Sequence, residues 1–323
     1  MSERDRIEAA RRIVRDVMPP TPQQRWPLLD QRVGAQVWVK HENHTAVGAF
    51  KLRGGLVYFD ALRRRAPEVR GVISATRGNH GQSVGFAAQR HGMTATIVVP
   101  HGNSPEKNRA MQGFGATLIE HGHDFQAAYE YAIARAEAER LHLLPSFHPL
   151  LVSGVASYAL ELFRAVEALD TVYVPIGLGS GICGVIAARD ALGLRTEIVG
   201  VVAENAPTYA LSFAAGRSVA TNAADTFAGG LAVRVPDETA LAAIRAGVAR
   251  IVAVSEAEMR QAIRVLFSDT HNLAEGAGAA PLAAALKERH RLAGKRVAVV
   301  QSGGNIDRAL FAQILAEQDP DLE

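Results

Sequence analysis

The chain has 323 residues, of which 48% are hydrophobic and 21% charged, with a formal net charge of +2. This length favours two lobes over one, and the small net charge gives no reason to expect a nucleic-acid partner. The single cysteine, Cys183, excludes an internal disulfide and fits a reducing cytoplasm. The charged N-terminus does not fit a signal peptide, and the apolar runs are too short for a membrane span.

Strands and helices alternate through the first half of the chain. Short runs rich in Val and Ile predict buried strands, and Ser104-Pro105 predicts a helix start with an N-cap and a proline at the first position. The predicted strands cover 37–39, 71–74, 94–99 and 116–119, and the predicted helices cover 81–90, a segment from 105, and 124–140.

A lysine bracketed by glycines follows the first of these strands, in the segment GAFKLRGG at 48–55. The chain contains 30 Arg but only five Lys, which are Lys40, Lys51, Lys107, Lys287 and Lys295. Lysine among small residues therefore indicates a need for an amine that can lose its proton and bind an aldehyde, which Arg cannot do. The alternative is a solvated Lys51 in a turn.

A polar loop, TRGNHGQ at 76–82, joins the next predicted strand to a helix. Free N–H groups at the start of that helix suit a carboxylate or a phosphate. The alternative is that Thr76 or Asn79 simply caps the helix.

The second half of the chain repeats the alternation. Nearly continuous apolar strands between helices predict parallel sheets that are covered on both faces, in two doubly wound α/β lobes. Ligands in such folds bind beyond the carboxyl ends of strands, so we expect one cleft between the lobes. The predicted strands cover 171–176, 196–203 and 296–300. One predicted helix follows the glycine loop and ends near 192, and four more cover 206–216, 237–250, 256–268 and 276–291.

A glycine loop, GLGSGICG at 177–184, follows a buried strand and opens a helix, which predicts a phosphate-binding site. The same loop matches GxGxxG, and Glu204 lies where a ribose-binding acid would sit, so a nicotinamide-dependent dehydrogenase is the alternative. Cys183 within the loop is interpreted as a packing residue rather than a catalytic thiol.

A fourth motif, QSGGN at 301–305, follows the last strand and suits close approach to a flat ligand, or else forms a tight turn. The dehydrogenase alternative accounts for the glycine loop alone. A phosphorylated aldehyde cofactor accounts for all four motifs.

Together these motifs resemble those of the fold-type II pyridoxal-phosphate enzymes, specifically the threonine and serine dehydratases and their serine racemase relatives. The similarity runs over nearly the whole chain, through Thr21-Pro22, KHEN at 40–43, the lysine segment, His148-Pro149 and SGGN at 302–305. It implies a tryptophan synthase β-like fold that holds pyridoxal 5'-phosphate between a large lobe of 1–50 and 150–323 and a small lobe of 51–149. It also implies a homodimer and argues against a metal site at His41, Glu42 and His44.

The resemblance further implies roles for individual residues. Lys51 would be catalytic and would form the Schiff base with the cofactor, with the ring of Phe50 beside it. Thr76, Asn79 and His80 would hold the substrate carboxylate. The other cofactor contacts are expected from Asn79, Gly177, Leu178, Gly179, Ser180, Gly181, Glu275 and Ser302, of which the last would face the pyridine nitrogen.

Three positions depart from the family pattern, and at one of them Gly229 stands where the usual Asp-Gly-Leu-Ala has its carboxylate. Arg77 replaces the second serine of the usual Ser-Ser-Gly-Asn-His, and because a guanidinium cannot protonate a carbanion as that serine does in racemases, racemisation is not expected. Arg77 is also a candidate to bind a second carboxylate of the substrate, the alternative being a surface ion pair. Ala210 offers no side-chain oxygen where metal-binding relatives have a ligand after Glu204, so we expect no bound divalent metal.

The sequence therefore predicts a cytoplasmic dehydratase that converts a β-hydroxy amino acid to a 2-oxo acid and ammonia. Threonine is the expected substrate, with serine a poorer one. The alternative substrates are 3-hydroxyaspartate and phenylserine.

Overall fold

The computed structural model describes residues 2–318. Its strands are β1 (Gln23–Arg25), β2 (Gln36–His41), β3 (Gly71–Ala75), β4 (Thr94–Val99), β5 (Ala116–Glu120), β6 (His142–Leu143), β7 (Thr171–Pro175), β8 (Glu197–Ala203), β9 (Arg250–Val254) and β10 (Arg296–Gln301). Its α-helices are α1 (Glu3–Arg15), α2 (Pro27–Val33), α3 (Lys51–Arg65), α4 (Asn79–Arg90), α5 (Pro105–Gly113), α6 (Phe125–Glu139), α7 (Pro149–Ala165), α8 (Ser180–Ala191), α9 (Thr208–Ala215), α10 (Glu238–Gly247), α11 (Glu256–Thr270), α12 (Gly276–Lys287) and α13 (Arg308–Leu315).

The strands form two sheets. One has six strands in the order β1-β2-β10-β7-β8-β9, and the other has four strands in the order β5-β4-β3-β6. All neighbouring strands are parallel except β1, which pairs antiparallel with β2 at the edge of the larger sheet. The predicted α/β class with two parallel sheets is confirmed.

The apolar runs are continuous because both faces of the larger sheet are buried. In β8, Val199 and Val201 belong to one hydrophobic core, whereas Ile198 and Val202 belong to the core on the opposite face. Successive side chains of a strand point to opposite faces, so a strand covered on both sides is apolar at every position.

The predicted elements are confirmed with small shifts at their ends. Ser104 Oγ accepts a hydrogen bond from the Lys107 backbone N–H, so it caps α5 as expected. The helix predicted over 237–250 is wrong at its end, because α10 stops at Gly247 and Arg250 begins strand β9. The division of the chain into lobes near residues 50 and 150 stays a prediction. Among residues 2–318, no helix is long and apolar enough to cross a membrane.

A buried cluster of charged residues holds the start of α3 in place. Arg53 donates to Glu42 Oε2 at 2.7 Å and to Glu161 Oε2 at 2.8 Å, and Lys40 Nζ lies 2.9 Å from Glu161 Oε2. Two cations face two carboxylates, so the buried charges are matched. The cluster joins β2, α3 and α7, and its Arg53 follows Lys51 by two residues in the first turn of α3.

Candidate active site

A cavity of about 870 Å³ lies beyond the carboxyl ends of β3, β7 and β10. Its walls come from both sheets and their connections, which places it where the sequence predicts a cleft. All of the predicted site residues line it: Phe50, Lys51, Thr76, Arg77, Asn79, His80, Gly177, Leu178, Gly179, Ser180, Gly181, Glu275 and Ser302.

Lys51 is the first residue of α3 and not a turn residue. Its Nζ donates to Ser180 Oγ at 3.2 Å and lies 5.1 Å from the centre of the Phe50 ring. Burial lowers the pKa of Lys51 to about 8. A buried lysine with a lowered pKa fits the deprotonatable amine that the sequence predicts, and the catalytic role of Lys51 stays a prediction.

The glycine loop at 177–181 leads into the N-terminus of α8. Within residues 2–318, none of its five backbone N–H groups donates a hydrogen bond. A Cβ on Gly177 would lie 2.3 Å from the Gly230 carbonyl oxygen, and Gly179 has a φ of +100°, so both positions require glycine. Free N–H groups at a helix N-terminus form an anion-binding site.

The loop before α4 provides a second set of free donors. Gly78 N–H is bound to Thr76 Oγ1 at 3.2 Å, but the N–H groups of Asn79 and His80 donate to nothing within residues 2–318. His80 Nε2 is buried and has no hydrogen-bond partner in the same range. Burial, with a smaller contribution from Lys51, lowers the pKa of His80 to about 3, so its imidazole is neutral.

Glu275 and Ser302 line the cavity as well. Asn79 Nδ2 donates to Glu275 Oε1 at 2.6 Å, and Asn305 Nδ2 donates to Asn79 Oδ1 at 2.8 Å, which fixes the orientation of the Asn79 amide. Burial raises the pKa of Glu275 despite the nearby Lys107. Ser302 is 5% exposed, and its carbonyl accepts from Phe50 N–H at 3.0 Å.

The structure adds residues that sequence reasoning missed. Lys107 Nζ lies 3.8 Å from Glu275 Oε2, and Asn305 orients Asn79. The signal for Lys107 was its rarity, because it is one of only five lysines. Asn305 ends the predicted SGGN motif, but only the fold brings it to Asn79.

The alternative interpretations find little support at this cavity. Burial raises the pKa of Cys183 to about 12, so its thiol stays protonated and serves as a packing group. The Glu204 carboxylate pairs with Lys287 Nζ at 3.2 Å and does not line the cavity, so it is not placed to bind a ribose there. Within residues 2–318, no group of three or more His, Cys, Asp or Glu could hold a metal ion.

Comparisons with known proteins match most of the chain. The family described as "Pyridoxal-phosphate dependent enzyme" matches residues 14–303. L-threonine ammonia-lyase of Thermotoga maritima is 33% identical, over 96% of this chain and 77% of its own. L-threo-3-hydroxyaspartate ammonia-lyase of Saccharomyces cerevisiae is 31% identical, over 98% of this chain and 96% of its own. Among solved structures, the processed form of threonine deaminase isoform 2 from Solanum lycopersicum superposes with a TM-score of 0.89 at 28% identity, covering 98% of this chain and 94% of the other.

Proposed function

The chain belongs to the pyridoxal-phosphate dependent enzyme family, and we propose that it is an ammonia-lyase that dehydrates a β-hydroxy amino acid. The observation that carries this proposal is Lys51, an enclosed amine with a lowered pKa that contacts Ser180 in the loop at 177–181, whose backbone N–H groups have no acceptor within residues 2–318. Threonine is the first substrate to test, because curated relatives of similar sequence are named as threonine ammonia-lyases.

The residues of the cavity fit the cofactor of the family. The free N–H groups of 177–181 suit its phosphate, and Lys51 suits its aldehyde. Ser302 is a neutral lining residue that would suit the pyridine nitrogen of the cofactor. When bound, the cofactor supplies an electron-withdrawing ring that weakens the bond between the substrate's α-carbon and its proton.

The chain's own residues would bind and orient the substrate. The free N–H groups of Asn79 and His80 at the start of α4 suit the α-carboxylate, which the helix dipole favours as well. Neutral His80 can add a hydrogen bond without repelling Lys51. Lys51, neutral in part at physiological pH, would remove the α-proton.

The overall reaction balances without an added reactant. Loss of the α-proton and β-hydroxyl as water gives an unsaturated amine, and water then replaces nitrogen to give a 2-oxo acid and ammonia. Threonine, serine, 3-hydroxyaspartate and phenylserine all carry the β-hydroxyl that this requires.

The test is a visible absorption spectrum of the purified protein before and after addition of L-threonine, with ammonia assayed in the same sample. We expect a yellow protein that releases ammonia, and loss of both properties in Lys51→Ala. Lys295→Ala, a lysine outside the cavity, is the matched control and should retain both. A wild-type protein that binds the cofactor but releases ammonia from none of the four amino acids would contradict the proposed reaction.

Assembly and location belong to the same proposal. A homodimer in the cytoplasm fits the resemblance, and the single buried Cys183 fits a reducing compartment. Light scattering on the purified protein would test the dimer, since a mass of about 34.5 kDa would indicate a monomer.

A further inference from the structure

A second, smaller cavity of about 210 Å³ adjoins the first. The two cavities share a wall made by Arg77, Lys107, Gly229 and Glu275. The smaller cavity is otherwise lined by Gly276 and by residues from 102–104, 226–228 and 305–310, so it lies between the start of α5 and the loop before α13. A substrate held at Asn79 and His80 would have this wall within reach of its far end.

Arg77 is an exposed guanidinium without a partner. Within residues 2–318 it forms no hydrogen bond and no ion pair. The surface ion pair considered as an alternative for Arg77 is therefore not formed. An Arg that lines two cavities with all five donors free is suited to bind a carboxylate in bidentate geometry.

Lys107 brings a second cation to the same wall. A Cβ on Gly78 would lie 2.9 Å from Lys107 Cδ, so the lysine stem packs against the residue that follows Arg77. The Lys107 ammonium lies 3.8 Å from Glu275 Oε2, longer than a direct hydrogen bond, so Glu275 neutralises it only in part. The cations face two acids, but Asp307 is already bound to Ser104, and Glu275 is already bound to Asn79.

We propose that Arg77 and Lys107 form a subsite for a second carboxylate, on the β-carbon of the substrate. This inference rests on the proposed dehydratase function and deepens it, since it gives a dicarboxylic β-hydroxy amino acid such as 3-hydroxyaspartate an advantage over threonine. The subsite binds the anion and takes no part in bond breaking, so the products are a dicarboxylic 2-oxo acid and ammonia.

The kinetic test compares L-threonine with L-threo-3-hydroxyaspartate in the holoenzyme. We expect Arg77→Ala to lower the ratio of kcat/KM for hydroxyaspartate to that for threonine about tenfold or more, as loss of a charge-assisted bidentate pair predicts. Lys107→Met should lower the same ratio, and Lys107→Arg should restore part of it. Arg90→Ala, an exposed Arg at the far end of α4, is the matched control and should leave both values unchanged.

A binding test separates this inference from the proposed function. Calorimetry should show that succinate binds the wild-type holoenzyme more tightly than butyrate, which has one carboxylate, and that Arg77→Ala removes the difference. Equal binding of the two acids, or equal loss of both activities in Arg77→Ala, would overturn the subsite. If none of the four β-hydroxy amino acids releases ammonia, the proposed function fails, while the succinate comparison still decides whether the subsite exists.

Discussion

At the scale of single residues, Lys51 differs from Lys40, Lys107 and Lys287 in its electrostatic surroundings. Each of those three has a carboxylate oxygen within 4.0 Å, whereas Lys51 Nζ contacts the neutral Ser180 hydroxyl. No carboxylate offsets its loss of solvation, so burial alone lowers the pKa. Burial also lowers the pKa of Lys40, but there Glu42 and Glu161 act against the shift, whereas nothing acts against it at Lys51.

This pKa predicts how cofactor uptake depends on pH. The neutral amine attacks an aldehyde and the ammonium does not, so uptake of pyridoxal phosphate by the apo-protein should accelerate as pH rises through about 8 and level off above it. Stopped-flow absorbance between pH 6 and 10 measures the rate. A rise that continues towards pH 10.5, the ordinary value for lysine, would mean that Lys51 is solvated.

At the scale of elements, the N-terminus of α8 depends on Gly177 and Gly179, which precede it. Gly179 has a left-handed φ, and its added Cβ would lie 2.6 Å from Ala240 Cβ. Gly179→Ala should therefore displace the loop and weaken binding of pyridoxal phosphate at least about tenfold, because the donors at 177–181 must converge on one anion.

A matched control for this variant lies at the other end of the same helix. Gly193 has a φ of +65° and nothing within 4 Å of an added Cβ, so Gly193→Ala introduces backbone strain of about 1 kcal/mol without a clash. Equilibrium dialysis of the cofactor should separate the two variants. Equal affinities would show that the conformation of Gly179 is not needed for binding.

Helix α3 depends on the buried charged cluster. Arg53→Met would leave Glu42 and Glu161 buried with only Lys40, and removing one partner of such a cluster destabilises by about 3–5 kcal/mol. Urea unfolding of the holoenzyme measures the loss. Arg64→Met on the same helix, where the guanidinium is exposed and pairs with Asp60, should change the midpoint little. A small loss in both variants would contradict the role of the cluster.

Comparison of the elements with the sequence shows which strands and which site residues could be predicted. Strands buried on both faces and loops that follow them are visible as apolar runs and glycine motifs, so seven of the ten strands within residues 2–318 and most of the cavity wall were predicted. The edge strands β1 and β6 have only three and two residues and were missed. Strand β9 was missed because Arg250–Val254 is a five-residue edge strand between two helices, and such runs do not reveal their period. Lys107 was not assigned to the site because only the packing of α5 brings it to Glu275.

At the scale of the whole molecule, polar contacts beside the cavities join the segment 104–124 to Arg234 and to residues 307–308. Ser104 Oγ donates to Asp307 Oδ1, the Arg308 N–H donates to Glu106 Oε2 at 3.2 Å, and Arg234 lies 3.6 Å from Asp124. These three contacts are partly or fully exposed, and they add to the less exposed bonds of Asn79 to Glu275 and Asn305.

Removing one of these contacts should weaken substrate binding more than stability. Asp307→Ala deletes the bond to Ser104 while leaving the Ser104 cap on α5 intact. We expect KM to rise about fivefold, the equivalent of one hydrogen bond of about 1 kcal/mol, with kcat and the thermal midpoint nearly unchanged. Hydrogen exchange at 102–107 should become faster. A fall in kcat without a change in KM would show that the contact acts on the chemical step instead.

The scarcity of lysine has a practical consequence for labelling. Lys40 is buried, Lys107 and Lys295 are half-buried, and the exposed Lys287 has its amine bound to Glu204, Glu258 and the Ala253 carbonyl. An aldehyde in excess commonly forms Schiff bases with surface lysines, but the basic groups on the surface of this protein are mostly guanidinium groups. Reduction with borohydride should accordingly trap close to one pyridoxyl group per polypeptide, and peptide mapping should find it at a single site.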